Sequence, residues 1–182
     1  MRRAAAWILV LGFSLSFAAP SEACLRDMPK LAKKKVQVDP TKRDVIAAEK
    51  ALAGGDHAKA ARLAKGAVPG LSELPPVGAA ELATRAQRTL ALATVRSGGN
   101  IEVAPGIGGD DAYAKQVALA WAELTLTYQS AMKSDDVMVR SQLAEALAAD
   151  DYQSDRAREM LRDLSARDLM PTARAYAVLA HL

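Results

Sequence analysis

From Asp39 onward, apolar residues return every three or four positions, and no segment alternates with period two for long enough to make a strand. That spacing gathers the apolar side chains of a segment onto one face of a helix. Only "NIEV" at 100–103 resembles a strand, and it is short and isolated. The chain is also rich in alanine, with aromatics at 4%. Alanine favours helix and lets helices pack closely, so an all-α fold follows.

Boundary residues divide the pattern into elements. Asp39 and Pro40 open a first helix as cap and first turn, with Val45, Ala48 and Leu52 as its buried stripe. Gly54 ends it, and Asp56 caps the next helix, about 57–67. "VPGLSELPPVG" at 68–78 carries three prolines and is a loop. A helix over 79–97 turns Leu82, Ala86, Leu90 and Ala93 or Val95 to one side. "SGGNIEVAPGIGGDD" at 97–111 is a long glycine-rich connection, expected to be flexible and to lie over a groove. In the helix at 111–133, Tyr113, Val117, Trp121, Leu124, Tyr128 and Ala131 step by three or four, flanked by Leu119, Ala122 and Leu126. Further helices are predicted near 135–149, 152–166 and 171–181, with Pro171 at the start of the last.

The N-terminus has a different grammar. Arg2 and Arg3 precede an uncharged, mostly apolar run from Ala4 to Ala19, then Pro20 and the small residues Ser21 and Ala23 before Cys24. This is the tripartite pattern of a secretory signal peptide over residues 1–23, too short in its apolar part for a spanning helix of roughly 20 residues. The expected address is therefore periplasmic or secreted. A cut before Cys24 also admits lipidation of that cysteine, although Ser21 and Glu22 fit the lipoprotein motif poorly. Residues 24–38, with Arg26, Lys30, Lys33, Lys34 and Lys35, form a basic tether; beside a lipid they would hug an anionic surface. Cys24 is the only cysteine, so an intramolecular disulfide is excluded. A net charge of +3 does not argue for a nucleic-acid partner.

Internal similarity appears between "ALAGGDH" at 51–57 and "ALAADDY" at 146–152. "GDHAKA" at 55–60 offers a Gly-Asp-ring turn with Ala60 three residues later, and Ala67 fits the next small position. "WAELTLTY" at 121–128 places Trp121, Leu124 and Tyr128 at first-helix spacing, with Thr125 where glycine is usual. "DDYQSDRAREMLRDLSARDLMPTARAYAVLA" at 150–180 has a turn and a second helix, with Ala157 two and Pro171 four residues late. In these stretches the chain resembles the tetratricopeptide repeat family, whose unit is a helix pair of about 34 residues. The resemblance covers most of 41–182 as about three degenerate units; Val137, Ser141 and the loop at 97–111 depart from the pattern. It implies antiparallel helix pairs stacked as a short right-handed solenoid over 39–182. Small residues such as Ala60 would allow close approach, and large ones such as Trp121 would fill the space between units. An irregular helical bundle is the alternative.

Catalytic and metal chemistry finds little footing. His57 and His181 have no Cys or His at ligand spacing. Asp56 and His57 are adjacent, so on a helix their side chains point apart. The pairs Asp110–Asp111, Asp135–Asp136 and Asp150–Asp151 each stand at a helix start, where aspartate caps. "GIGGDD" at 106–111 lacks the Lys-Ser/Thr of a phosphate loop and has no strand before it. No cofactor, metal or reaction is therefore expected. The repeat resemblance implies instead a concave surface of first helices that takes a protein or peptide. On the one first helix that matches, it implies Leu119, Leu126 and Gln129 as partner-binding residues beside a buried Trp121, Leu124 and Tyr128. The alternative is a lipid-anchored structural part of an envelope assembly, with a membrane involved only if Cys24 is lipidated.

Overall fold

The computed structural model describes residues 39–73 and 81–182. The predicted leader (1–23), the basic tether (24–38) and the prolines at 75 and 76 lie outside the described residues. Among those residues the fold is all-α. Seven helices run in order: α1 (Pro40–Ala53), α2 (His57–Ala67), α3 (Glu81–Arg96), α4 (Ala112–Met132), α5 (Val137–Leu147), α6 (Ser154–Ala166) and α7 (Ala173–His181). No strand forms among them; residues 104 and 107 make one isolated bridge.

The helices start where capping chemistry starts them. Asp39 accepts from the Thr41 amide, Asp56 from Lys59 at 3.0 Å, Asp111 from Ala114 at 2.9 Å and Asp136 from Met138 and Val139. Each satisfies amides that have no partner within the helix. Two of the three aspartate pairs therefore cap through their second member. The third behaves differently: Asp150 accepts from the Tyr152 amide in a turn, and α6 begins without a side-chain cap. Thr172, not Pro171, caps α7. At the end of α6 the Leu169 amide bonds to Leu164 O and the Asp168 amide to Ser165 O, and Asp168 takes φ 55°. That is the double hydrogen bond of a Schellman stop, with an aspartate in the place that favours glycine.

Neighbours in the chain pack against each other in series, and α1 also meets α3, α3 meets α5, and α5 meets α7. The even-numbered helices make no such contacts with one another. Helix α3 thus touches α1, α2, α4 and α5, and every residue from Thr89 to Val95 is buried. The seams are lined by small residues: Ala60 and Ala64 on α2, Ala86, Ala91 and Ala93 on α3, and Ala118 and Ala122 on α4. Leu90, Leu126, Leu147 and Leu161 fill the wider spaces. A second apolar cluster joins Ala144, Leu161, Leu164 and Ala175 across α5, α6 and α7.

The glycine-rich connection at 97–111 differs from the flexible cover expected of it. It folds onto the core by hydrogen bonds from Val103 to Ile107, Ile107 to Ala104, Gly108 to Ala114 and Gly109 to Gly99. Val103 is buried, and Ile101 and Ile107 pack beside it. Lys65 of α2 donates to Glu102 O at 2.9 Å. Gly108 is required here: φ is +96°, and an added Cβ would lie 2.0 Å from Ile101 O.

Candidate functional site: a groove beside α4

Helix α4 determines what surface the molecule offers. Its buried face is Ala114, Ala118, Trp121, Ala122, Thr125, Leu126 and Gln129. This corrects the orientation expected from the sequence. Leu126 is fully buried and Gln129 is 4% exposed, so neither is presented to a partner, and Leu119 is only half-buried. Leu124 at 58%, Tyr128 at 41% and Tyr113 at 76% exposure, expected on the buried stripe, face out instead. The reason is steric. Packing brings α4 close to its neighbours where its side chains are small, and Ala114, Ala118, Ala122 and Thr125 form the narrower face. Hydrophobicity alone selects the Tyr113–Leu124–Tyr128 stripe; the inner face instead sets four small residues beside Trp121, Leu126 and Gln129. Helix α4 contacts α3 and α5 and neither α2 nor α6. Trp121 alone of the expected anchors goes inward, where its Nε1 donates to Ser72 O at 2.8 Å.

Gln129 belongs to a buried amide relay. Gln87 on α3 donates to Leu71 O and Glu73 O, and Gln129 donates to Thr84 O at 3.2 Å and Gln87 Oε1 at 3.4 Å. The relay fixes the Gln129 amide orientation, because its nitrogen faces two acceptors. Its Oε1 is left buried with no hydrogen-bond partner among the described residues. An unpaired buried acceptor costs about 1–3 kcal/mol.

Above this relay, a groove of about 500 Å³ opens between the first half of α3, the end of α4 and the start of α5. Thr84 and Arg88 line it from α3, Tyr128, Met132 and Lys133 from the end of α4, and Val139 from α5. Leu124, Tyr128 and Met132 stand at i, i+4 and i+8, so the exposed apolar stripe runs along α4 into the groove. Arg85 also lines it, but Glu49 of α1 holds that guanidinium through two bonds, at 2.9 and 2.6 Å. The hydrogen bond to Glu49 raises the Arg85 pKa above its ordinary value.

A second polar cluster lies elsewhere, where α3, α5 and α7 meet. Glu145 is buried and receives two bonds from Arg96, each 2.9 Å, and another from Arg174. Burial pushes the Glu145 carboxyl upward, yet Arg96 and then Arg174 outweigh it, and the net effect is a lowered pKa. His57 feels the same charges. Burial, then Arg96 and Arg174, lower its pKa against the opposing pull of Glu145 and Asp56. Asp56 is occupied with its cap, so the adjacent Asp–His pair forms a helix start. Among the described residues no group of three or more His, Cys, Asp or Glu is placed to hold a metal ion.

The groove residues Arg88, Met132 and Lys133 were not singled out by the sequence pattern. The available signal was the run of small residues every three or four positions on α4, which marks the inner face and by elimination the outer one. Comparison with protein-family models, with curated proteins and with solved structures returns no match.

Proposed function

We propose that the chain is an exported, non-catalytic helical scaffold, built as a short TPR-like solenoid, that holds a protein or peptide partner. The exposed apolar stripe Leu124–Tyr128–Met132, continuous with the groove at its end, carries the reading. Large apolar side chains aligned on one exposed face beside a concavity mark a contact surface. The serial packing, with odd helices also meeting one another, supports a stacked-pair arrangement. Export rests on the leader pattern of residues 1–23 and on nothing in the folded part.

The surface is tested by cross-linking and pull-down from the bacterial envelope with the natural chain and with Leu124→Asp. A partner enriched by the first and lost by the second is the expected result. Identical capture by both would overturn the placement on α4. Cys24 and the lysines after it favour a second reading, a lipid-anchored structural component. Mass spectrometry of the mature N-terminus separates the two: a diacylated cysteine supports anchoring, and an unmodified one removes it.

A further inference from the structure

The groove's charges say more about its occupant. Arg85 is matched by Glu49, and Glu81, a groove carboxylate with no ion pair among the described residues, stands in the first turn of α3, where the positive end of the helix dipole offsets it. The carboxylate of Asp136 is engaged by the first amides of α5, where the positive end of the helix dipole offsets it. That leaves Arg88 of α3 and Lys133 at the end of α4, both lining the groove, with no ion pair or side-chain hydrogen bond among the described residues. The ring of Tyr128, the thioether of Met132 and the branched side chain of Val139 line the same groove.

From this arrangement we infer that the groove binds a peptide segment carrying a carboxylate next to a large apolar side chain. The inference rests on the scaffold reading above and deepens it. Arginine suits a carboxylate because its planar fork donates two parallel bonds, and a lysine lining the same groove adds a mobile point charge. The apolar walls take the neighbouring side chain. A peptide fits better than a small free acid because the apolar surface does not stop at the groove. Leu124 and Met132 are eight residues apart, which at 1.5 Å per residue extends the contact by about 12 Å along the helix. A cavity of this volume is in the range of small-ligand pockets, so it receives one anchoring part of the segment while the stripe holds the rest.

The probe is a pool of short fluorescein-labelled peptides with Asp or Glu beside Leu, Phe or Trp. A matched pool carries Lys or Arg in the acidic places. Fluorescence anisotropy with the full chain is expected to detect the acidic pool and not the basic one. Arg88→Glu and Lys133→Glu should each weaken binding about tenfold or more, which is 1.4 kcal/mol apiece. Arg88→Gln, which keeps length without charge, guards against a folding defect, with circular dichroism as the check. Arg62→Glu, an exposed change on α2, should leave binding unchanged. Equal binding of both pools, or indifference to all three charge changes, overturns the inference. So does complete displacement by dodecanoate, which would make the site one for a free amphiphilic acid. If charge reversal has no effect while Leu124→Asp still abolishes capture of an envelope partner, the groove assignment fails and the scaffold reading stands. If neither pool binds and Leu124→Asp changes nothing, both fail.

Discussion

Replacing Glu145 by alanine should destabilise the fold by about 3 kcal/mol, far more than removing its half-exposed partner Arg174. The Glu145 side chain is 8% exposed and its main partner, Arg96, 14%, so truncation leaves a nearly buried guanidinium without a counter-charge. Arg174 is 50% exposed, and water can replace the bond it loses. Arg174→Ala should therefore cost about 1 kcal/mol or less. The double change Arg96→Met with Glu145→Leu removes both charges and should recover most of the loss, since a buried pair gains little over well-packed apolar groups. Urea titration followed by far-ultraviolet circular dichroism reads each value. A loss of 3 kcal/mol is roughly a 150-fold change in the folding constant. Acid titration gives an independent reading. Because the carboxyl pKa is lowered on folding, its stabilisation is fully present above the ordinary value of 4.5 and is lost as pH falls through the folded value. Glu145→Ala should lack that part of the acid dependence. A cost below about 1 kcal/mol for Glu145→Ala, or an equal cost for Arg174→Ala, would refute the view that burial sets the energy.

Three further outcomes follow from the packing. Trp121→Ala should cost about 3–5 kcal/mol in the same urea assay, because it empties a buried site and leaves Ser72 O without its donor. Gly108→Ala should lower stability by more than about 3 kcal/mol, combining positive φ with a collision against Ile101 O, whereas Gly106→Ala, with positive φ but open space, should cost about 1–2 kcal/mol; equal losses would deny the close approach. Asp168→Gly should stabilise the chain by about 0.5–1 kcal/mol by relieving the left-handed backbone after α6, read as a rise in melting temperature.

The helices were legible because their ends are written in local chemistry. Asp39, Asp56, Asp111 and Asp136 cap where their position before an apolar run indicates, and the stripe Val45, Ala48, Leu52 is buried as the spacing requires. The face of α4 was not legible from hydrophobicity, because two stripes compete on that helix and both are apolar. Which one turns inward depends on how closely α3 and α5 approach, and that distance is set by alanines on three helices at once. Gln129 shows the same limit from the polar side. On α4 alone it reads as an exposed amide; only Gln87 and Thr84, more than forty residues earlier, make it an interior one. The loop at 97–111 looked mobile because glycines carry no side chains to pack. Two of them, Gly99 and Gly108, are there to let backbone touch backbone.

The alternation of contacts divides the helices into two sets. Odd-numbered helices are joined to one another, and the Arg96–Glu145–Arg174 cluster fastens α3, α5 and α7 along that side. Even-numbered helices touch no other even-numbered helix, yet α4 is held firmly: Ala118, Trp121, Ala122 and Leu126 lie in the main core, Trp121 donates to Ser72 O and Gln129 to Thr84 O. A tilt of α4 that changed the groove would have to break those bonds and repack that core. An occupant therefore meets a groove whose width the core has already set.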